Sequence, residues 1–420
     1  MNCAMTSPIS SRTTARRAAF TLVEMLVSVT FLVILMMLVT QLVGIVQRGW
    51  VRTSSKVSQF REARLAFDLI SRNLSQATLN TYSEMRYDSL GQDQTQQDIK
   101  SARSYFRQSE LQFVSGPTTA LITSGGGGSG LYPGHAVFFQ APLGVTELTQ
   151  QAPASGSGGG GGPQTTANTE SLVNLLCARG YFVEWGDDTP YRPQFLNTSN
   201  VVPVRSRFRL IQYSPSAEMN RIYAPAYRLI DPEDRTKTVA GNSRMWFQDV
   251  LDQSNRVQAN EGSTPSNIKS APTRPVAENI LALVISPRSE TDNGTATYSP
   301  TACAPLYLYD SVLETNPGAV PNPVFGSQGT RHLLPPLVQV TMIAMDERSG
   351  EFLSRPENNS IRGEISQQIA NMFQNASDFS KEIGSTDGNL GTLDQLLLSR
   401  RINYRVFTAT IAMKQSRWSS

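Results

Sequence analysis

Apolar residues follow three successive patterns along this chain. From Phe20 to Val46 they are almost continuous, 27 residues with no proline and a single formal charge, Glu24. At ~1.5 Å per residue such a run predicts a helix about 40 Å long, enough to cross a bilayer with tilt to spare. From residue 57 the pattern changes to spacings of three and four. Val57, Phe60, Ala63, Phe67, Ile70, Leu74 and Ala77 form one stripe, with Arg61, Glu62, Arg64, Asp68 and Arg72 largely elsewhere around the axis. This predicts an amphipathic continuation of the helix to about Asn80. A helix lying alone on a membrane surface favours a strongly basic polar face. Here acids are mixed in, so the stripe is expected to pack on a domain.

Beyond residue 80, polar Gly- and Pro-rich stretches alternate with short runs of strand-forming residues: LQFV (111–114), HAVFFQ (135–140), GYFVEW (180–185) and ENILALVIS (278–286). VRSRFRLIQY (204–213) alternates with period two, placing Arg205, Arg207 and Arg209 on one face and Val204, Phe208 and Leu210 on the other. Such a stripe reads first as the solvated face of a strand, with anion binding as the sharper alternative. LVQVTMIAMDE (337–347) and NYRVFTATIAMKQ (403–415) are long strand candidates expected to pair antiparallel and close the sheet. Between them GEISQQIANMFQNAS and TLDQLLLSRR read as helices, the second opening with a capping-box pattern from Thr392 to Gln395. The expected fold class is α+β. A long N-terminal helix, a membrane half over 20–46 and an amphipathic half over 47–80, packs on a mainly antiparallel β-sheet head over 81–420 with long Gly/Pro-rich loops. Residues 1–19 form a basic leader.

Charge sharpens this division. The net charge of +3 is located in the leader, where Arg12, Arg16 and Arg17 occur without an acid. Subtracting these three from 37 basic residues leaves 34, against 34 acidic ones. A neutral body argues against a broad surface for nucleic acid, which depends on clustered Lys and Arg neutralising phosphates. The arginines before the apolar run place the N-terminus in the cytoplasm by the positive-inside rule, with the remaining ~370 residues facing outward.

Candidate chemistry is sparse. Cys3 lies in the leader, leaving Cys177 and Cys303, which are able to form one disulfide if the domain folds in an oxidising space. The only histidines, His135 and His332, have no further ligand at metal-binding spacing and read as ordinary residues. Gly125, Gly127 and Gly130, like Gly156, Gly158 and Gly161, satisfy GxGxxG. Neither tract opens a helix inside a βαβ unit, so both read as surface loops. Asp187 and Asp188 lack the spaced oxygen ligands of a calcium loop and read as a polar turn. No P-loop lysine, HExxH or GxSxG occurs. The expectation is a protein that is not an enzyme, with no cofactor and no metal.

The apolar run has three ordinary explanations: a secretory signal peptide, a plain signal anchor, or a leader cleaved ahead of the helix. A signal peptide has a shorter apolar region and a small-residue cleavage site after it, and neither holds here. A plain anchor gives no reason for Glu24, whose charge at depth costs about 2.5 to 3.5 kcal/mol. Cleavage between Ala19 and Phe20 creates an α-amino cation on Phe20 that Glu24 can neutralise when helices pack side by side.

The string AAFTLVEMLVS (18–28) resembles the type III signal of type IV pilins and type II secretion pseudopilins. That resemblance implies a prepilin peptidase cutting on the cytoplasmic side between Ala19 and Phe20. It further implies N-methylation of Phe20 and a role for Glu24 in the charge pair that assembles subunits. The family usually has Gly where this chain has Ala19; alanine is the smallest replacement, and cleavage is expected to persist.

Further along, SRNLSQATLNTY (71–82), YFRQSELQFVSG (105–116), HAVFFQAPLG (135–144), PPLVQVTMIAMDE (335–347) and NYRVFTATIAMKQSRWS (403–419) resemble blocks of Verru_Chthon cassette protein C, a family of Verrucomicrobia. This implies a cassette of companion pilin-like proteins. The plan of a long helix leading into a β-rich head is also similar to the J-type minor pseudopilin.

Together the resemblances imply a minor pilin or pseudopilin, single-pass in the bacterial inner membrane with a periplasmic head. Its implied partners are the prepilin peptidase, companion subunits and inner-membrane lipid, with no nucleic acid expected. A head of roughly 340 residues suits a minor subunit, since it would crowd an abundant one. The competing readings are a membrane-anchored extracytoplasmic hydrolase or glycan-binding protein, and a nucleic-acid-binding minor pilin using the arginine strand.

Overall fold

A computed structural model of the chain describes residues 21–86, 104–121, 132–144, 174–192, 196, 202–217, 219–223, 246–251, 256–257, 271–289, 301–319, 328–384 and 390–416. The chain divides into two compact units, Met1–Val57 and Ser58–Ser420, and the boundary falls inside helix α1, Leu22–Leu74.

In the first unit the segment Leu22–Gly44 has a mean hydropathy of 2.7 and no buried residue. In the second unit α1 carries the helical stripe that the spacing predicts. Ala63, Phe67, Ile70 and Leu74 are buried, as is Ala77 just beyond the helix, while Arg61, Glu62, Arg64, Asp68 and Arg72 are exposed. Phe67 meets Phe407 with ring centroids 6.1 Å apart, and Asn73 Nδ2 donates to the Tyr181 hydroxyl at 2.7 Å.

The fold is α+β, with the strands among the described residues in three sheets. The two-stranded sheet pairs β1 (Tyr82–Arg86) with β2 (Ser104–Gln108). A seven-stranded sheet is built from β3 (Val114–Pro117), β4 (His135–Pro142), β5 (Leu176–Gly186), β6 (Arg207–Tyr213), β7 (Arg256–Val257), β8 (Ala271–Glu278) and β10 (Tyr309–Asp310). Its order is β10-β3-β4-β5-β6-β8-β7, antiparallel except for the β7–β8 pair. In the three-stranded sheet, β11 (Leu337–Met345) lies between β9 (Ile280–Arg288) and β12 (Tyr404–Ala412), antiparallel to both. The β11–β12 pairing is the one expected from the two long alternating runs.

The seven-stranded sheet is covered on both faces. Val137, Phe139, Tyr181, Val183, Phe208 and Leu210 join the large core that includes α1, β9 and β11. Ala136, Phe138, Phe182 and Ile211 belong to a second cluster around Trp246 and Phe247. Burial on both faces explains why HAVFFQ and GYFVEW read as unbroken apolar runs rather than alternating ones.

Two neighbouring residues join this sheet to β9. Gly134 forms an isolated bridge with Leu283. The buried His135 ring lies 3.0 Å from the Ile285 N–H at Nδ1 and 3.0 Å from the Phe373 carbonyl at Nε2. A neutral imidazole protonated on Nε2 accepts the first bond and donates the second. Burial pushes its pKa down to about 4, against a weaker upward push from the hydrogen bonds to Phe373 and Ile285. As pH falls below the unfolded value of about 6.5, the unfolded chain takes up a proton that the folded one refuses until about pH 4. His135 is therefore expected to remove about 3 kcal/mol of stability between pH 7 and pH 4, and no more below that. Denaturant unfolding of wild type and His135→Gln across this range isolates the effect, since glutamine keeps a donor and an acceptor without titrating. Parallel pH profiles for the two proteins would refute it.

The helices between β11 and β12 are α2 (Glu347–Ser354), α3 (Asn359–Asn371), α4 (Phe379–Ile383) and α5 (Thr392–Ser399). The run GEISQQIANMFQNAS is helical only to Asn371. The cap of α5 falls one residue earlier than the sequence pattern placed it. Gly391 precedes the helix, and its N–H donates to Asp394 Oδ2 at 3.3 Å.

Candidate functional site

The N-terminal apolar helix is capped from within. Thr21 precedes its first residue, and the Glu24 N–H donates to Thr21 Oγ1 at 3.3 Å. Glu24 thus sits in the first helical turn, where an acid is favoured by the positive end of the helix dipole. The hydroxyls of Ser28, Thr30 and Thr40 donate to the carbonyls of Met25, Val27 and Met36 at 2.9, 2.7 and 2.8 Å. Polar groups satisfied within the helix suit a surface facing lipid. By length and composition Leu22–Gly44 is sufficient for a membrane span or for a signal sequence. The leader arginines, Ala19 and Phe20 lie outside the described residues.

The arginine strand departs from the expected solvated face. Arg207 and Arg209 are only 5% and 1% exposed. Arg207 Nη2 lies 3.1 Å and Arg205 Nη2 3.0 Å from Glu347 Oε1, and Asn279 Nδ2 donates to Glu347 Oε2 at 2.7 Å. Burial alone would raise the Glu347 carboxyl. Hydrogen bonds from Arg207 and Asn279, with the charges of both arginines, hold it below the usual range. Arg209 Nε faces Glu278 at 3.4 Å, while its Nη1 and Nη2 donate to the carbonyls of Gly186 and Arg205. Helix α2 supplies Glu347 and approaches so closely that a Cβ on Gly350 would fall on the Asn279 side chain. The buried cations of Arg207 and Arg209 are held by partners within the fold.

The remaining candidates are separate. Cys177 and Cys303 are both buried, and no disulfide joins them. The Cys177 thiol, on β5, lies 3.5 Å from the Leu175 carbonyl; that of Cys303 lies 3.5 Å from the Pro287 carbonyl, and burial pushes it up to about 12. The pair considered from the sequence is therefore two thiols held by different elements. His332 is fixed through its backbone, accepting from Thr81 Oγ1 at 2.9 Å and donating to the Ser311 carbonyl at 2.7 Å. Asp187 accepts from the Thr189 N–H at 3.1 Å. Asp188 accepts from the Arg205 N–H at 2.9 Å and pairs with Arg192 at 3.2 Å. No cluster of three metal-binding side chains occurs among the described residues. Both glycine tracts lie outside them.

No family model, curated protein or solved structure matches the chain.

Proposed function

We propose that this chain is a prepilin-like precursor. Its leader is removed between Ala19 and Phe20, and the apolar helix then joins those of companion subunits as a minor pilin or pseudopilin. The protein on this reading is an assembly component of the bacterial inner membrane, with its head in the periplasm, and not an enzyme. The observation that carries the reading is an uncovered apolar helix with a carboxylate in its first turn. The resemblance of residues 18–28 to prepilin signals, and of the later blocks to Verru_Chthon cassette protein C, supports it.

A second reading, a plain anchor, is favoured by the bond from the Glu24 N–H to Thr21 Oγ1, which is one half of a capping box; in the other half of that motif the carboxylate has a local role in starting the helix. Intact mass and N-terminal analysis of the membrane-extracted protein separate the two. Coexpression with a prepilin peptidase is expected to yield a chain lacking residues 1–19 and methylated on Phe20, while cells without the peptidase keep the leader. A full-length chain in both, or a cut beyond residue 40, would leave the anchor or a signal peptide.

A further inference from the structure

A cleft of about 490 Å³ opens between α2, the end of α5 and the start of β12. Arg348 and Phe352 line it from α2, Arg400 and Arg401 from the end of α5, and Asn403 from the approach to β12. Three acids around it are already engaged, and Glu351 stands exposed one turn along α2 from Arg348. Asp346 accepts from the Ser349 N–H at 2.9 Å and from Asn403 Nδ2 at 3.0 Å, Glu347 is held by Arg207 and Asn279, and Glu364 faces Arg400 at 2.6 Å. Arg348 and Arg401 are exposed and have no ion pair or side-chain hydrogen bond among the described residues.

The helix dipole accounts for cations at the C-terminus of α5, but not for Arg348, which lies in the first turn of α2 where the dipole opposes it. Backbone geometry adds an independent observation. Helix α5 ends in a Schellman motif, with Ile402 N–H donating to the Leu397 carbonyl at 2.9 Å and Arg401 N–H to that of Leu398 at 3.0 Å. The residue after the cap in this motif is ordinarily glycine, because its backbone is left-handed. Here it is Arg401, at φ 57°. A strained arginine beside a second unpaired one is the kind of local conflict that accompanies a ligand site.

We infer that this cleft binds a soluble phosphate monoester carrying an apolar organic group. The guanidinium groups of Arg348 and Arg401, not held by an ion pair, match the two charges of a phosphate monoester, and their planar forks match its oxygens. Phe352 and the buried Ile402 form an apolar wall for the organic part. The volume is that of a small-ligand pocket rather than of a bare anion.

Phenyl phosphate is the probe, titrated calorimetrically into the full chain in a nonionic detergent at low ionic strength. Saturable binding with a Kd below about 1 mM is expected. Arg348→Gln and Arg401→Gly should each weaken it at least about tenfold, the loss of one charge-assisted contact. Arg331→Gln, outside the cleft, should leave it unchanged. Arg401→Gly should also raise the melting temperature, because glycine relieves the left-handed strain. Affinity lost while stability rises is an outcome that a purely structural arginine does not give. Absence of saturable binding, wild-type affinity in Arg401→Gly, or equal weakening by Arg331→Gln would overturn the assignment.

Discussion

Gly134→Ala is expected to destabilise the second unit by about 2 to 5 kcal/mol. The left-handed backbone at φ 86° costs a residue with a Cβ about 1 to 2 kcal/mol. The new methyl would fall on the Leu283 carbonyl oxygen and lie 3.0 Å from its nitrogen, an overpacking conflict of about 1 to 3 kcal/mol. These contacts are with backbone in the middle of β9, so no side chain can turn away to relieve them. The Gly134 carbonyl also accepts from the Thr118 N–H at 3.0 Å, which resists a shift of the loop. Denaturant unfolding should show a lower midpoint at an unchanged slope, the sign of lost stability without a change in the surface exposed. A loss under about 0.5 kcal/mol would mean that the two segments separate easily and that the bridge does not join the sheets.

How far the fold was legible depended on whether local pattern and tertiary environment agreed. The helix stripe from Ala63 to Ala77 was readable because its period of three and four is itself the signature of burial on one side. The β11–β12 pair was readable from two long alternating runs. ENILALVIS supplies β9 from Ile280 onward, while its first residue, Glu278, closes β8; Asn279 between them, at φ 58°, turns the chain in a left-handed conformation that asparagine tolerates better than most residues. LQFV misled. The N–H groups of Leu111, Gln112 and Phe113 donate to the side chains of Ser109, Gln140 and Ser311, at 3.1, 3.0 and 2.9 Å, so the strand begins only at Val114. Ser109 is local, but Gln140 and Ser311 arrive from elsewhere in the fold and leave no trace in the local sequence.

The candidate sites divide along the same line. Alternation correctly placed Arg205, Arg207 and Arg209 on one face, but the helix that brings Glu347 over it lies some 140 residues downstream. In the cleft the signal was present as Ser399-Arg400-Arg401, read only as the end of a helix; Arg348 joins it through folding alone. The Thr21–Glu24 cap was fully legible. Thr21-x-x-Glu24 is a capping-box sequence of the same kind as Thr392-x-x-Gln395, but it stands at the head of an apolar run in which Glu24 is the lone charge.

That cap changes what a substitution at Glu24 can prove, and two variants are needed to separate its meanings. On the proposed reading the carboxylate neutralises the Phe20 amino group of a neighbouring subunit. Glu24→Gln and Glu24→Ala should then both insert, relieved of a charge whose burial costs about 2.5 to 3.5 kcal/mol, and both should lose the leader, since the cut site is unchanged. Both should fail to assemble, because each leaves a buried amine without its partner, a loss of about 3 to 5 kcal/mol per contact. If Glu24 serves only to start the helix, the expectation differs. Glutamine completes a capping box as well as glutamate, so Glu24→Gln would behave like wild type, and Glu24→Ala would lose only about 0.5 to 2 kcal/mol of helix stability. The measurement is co-purification with companion pilin-like subunits, or recovery in sheared filaments, normalised to processed protein in the membrane. Assembly lost in both variants supports the charge pair. Wild-type assembly by processed Glu24→Gln removes it and leaves Glu24 as a capping residue.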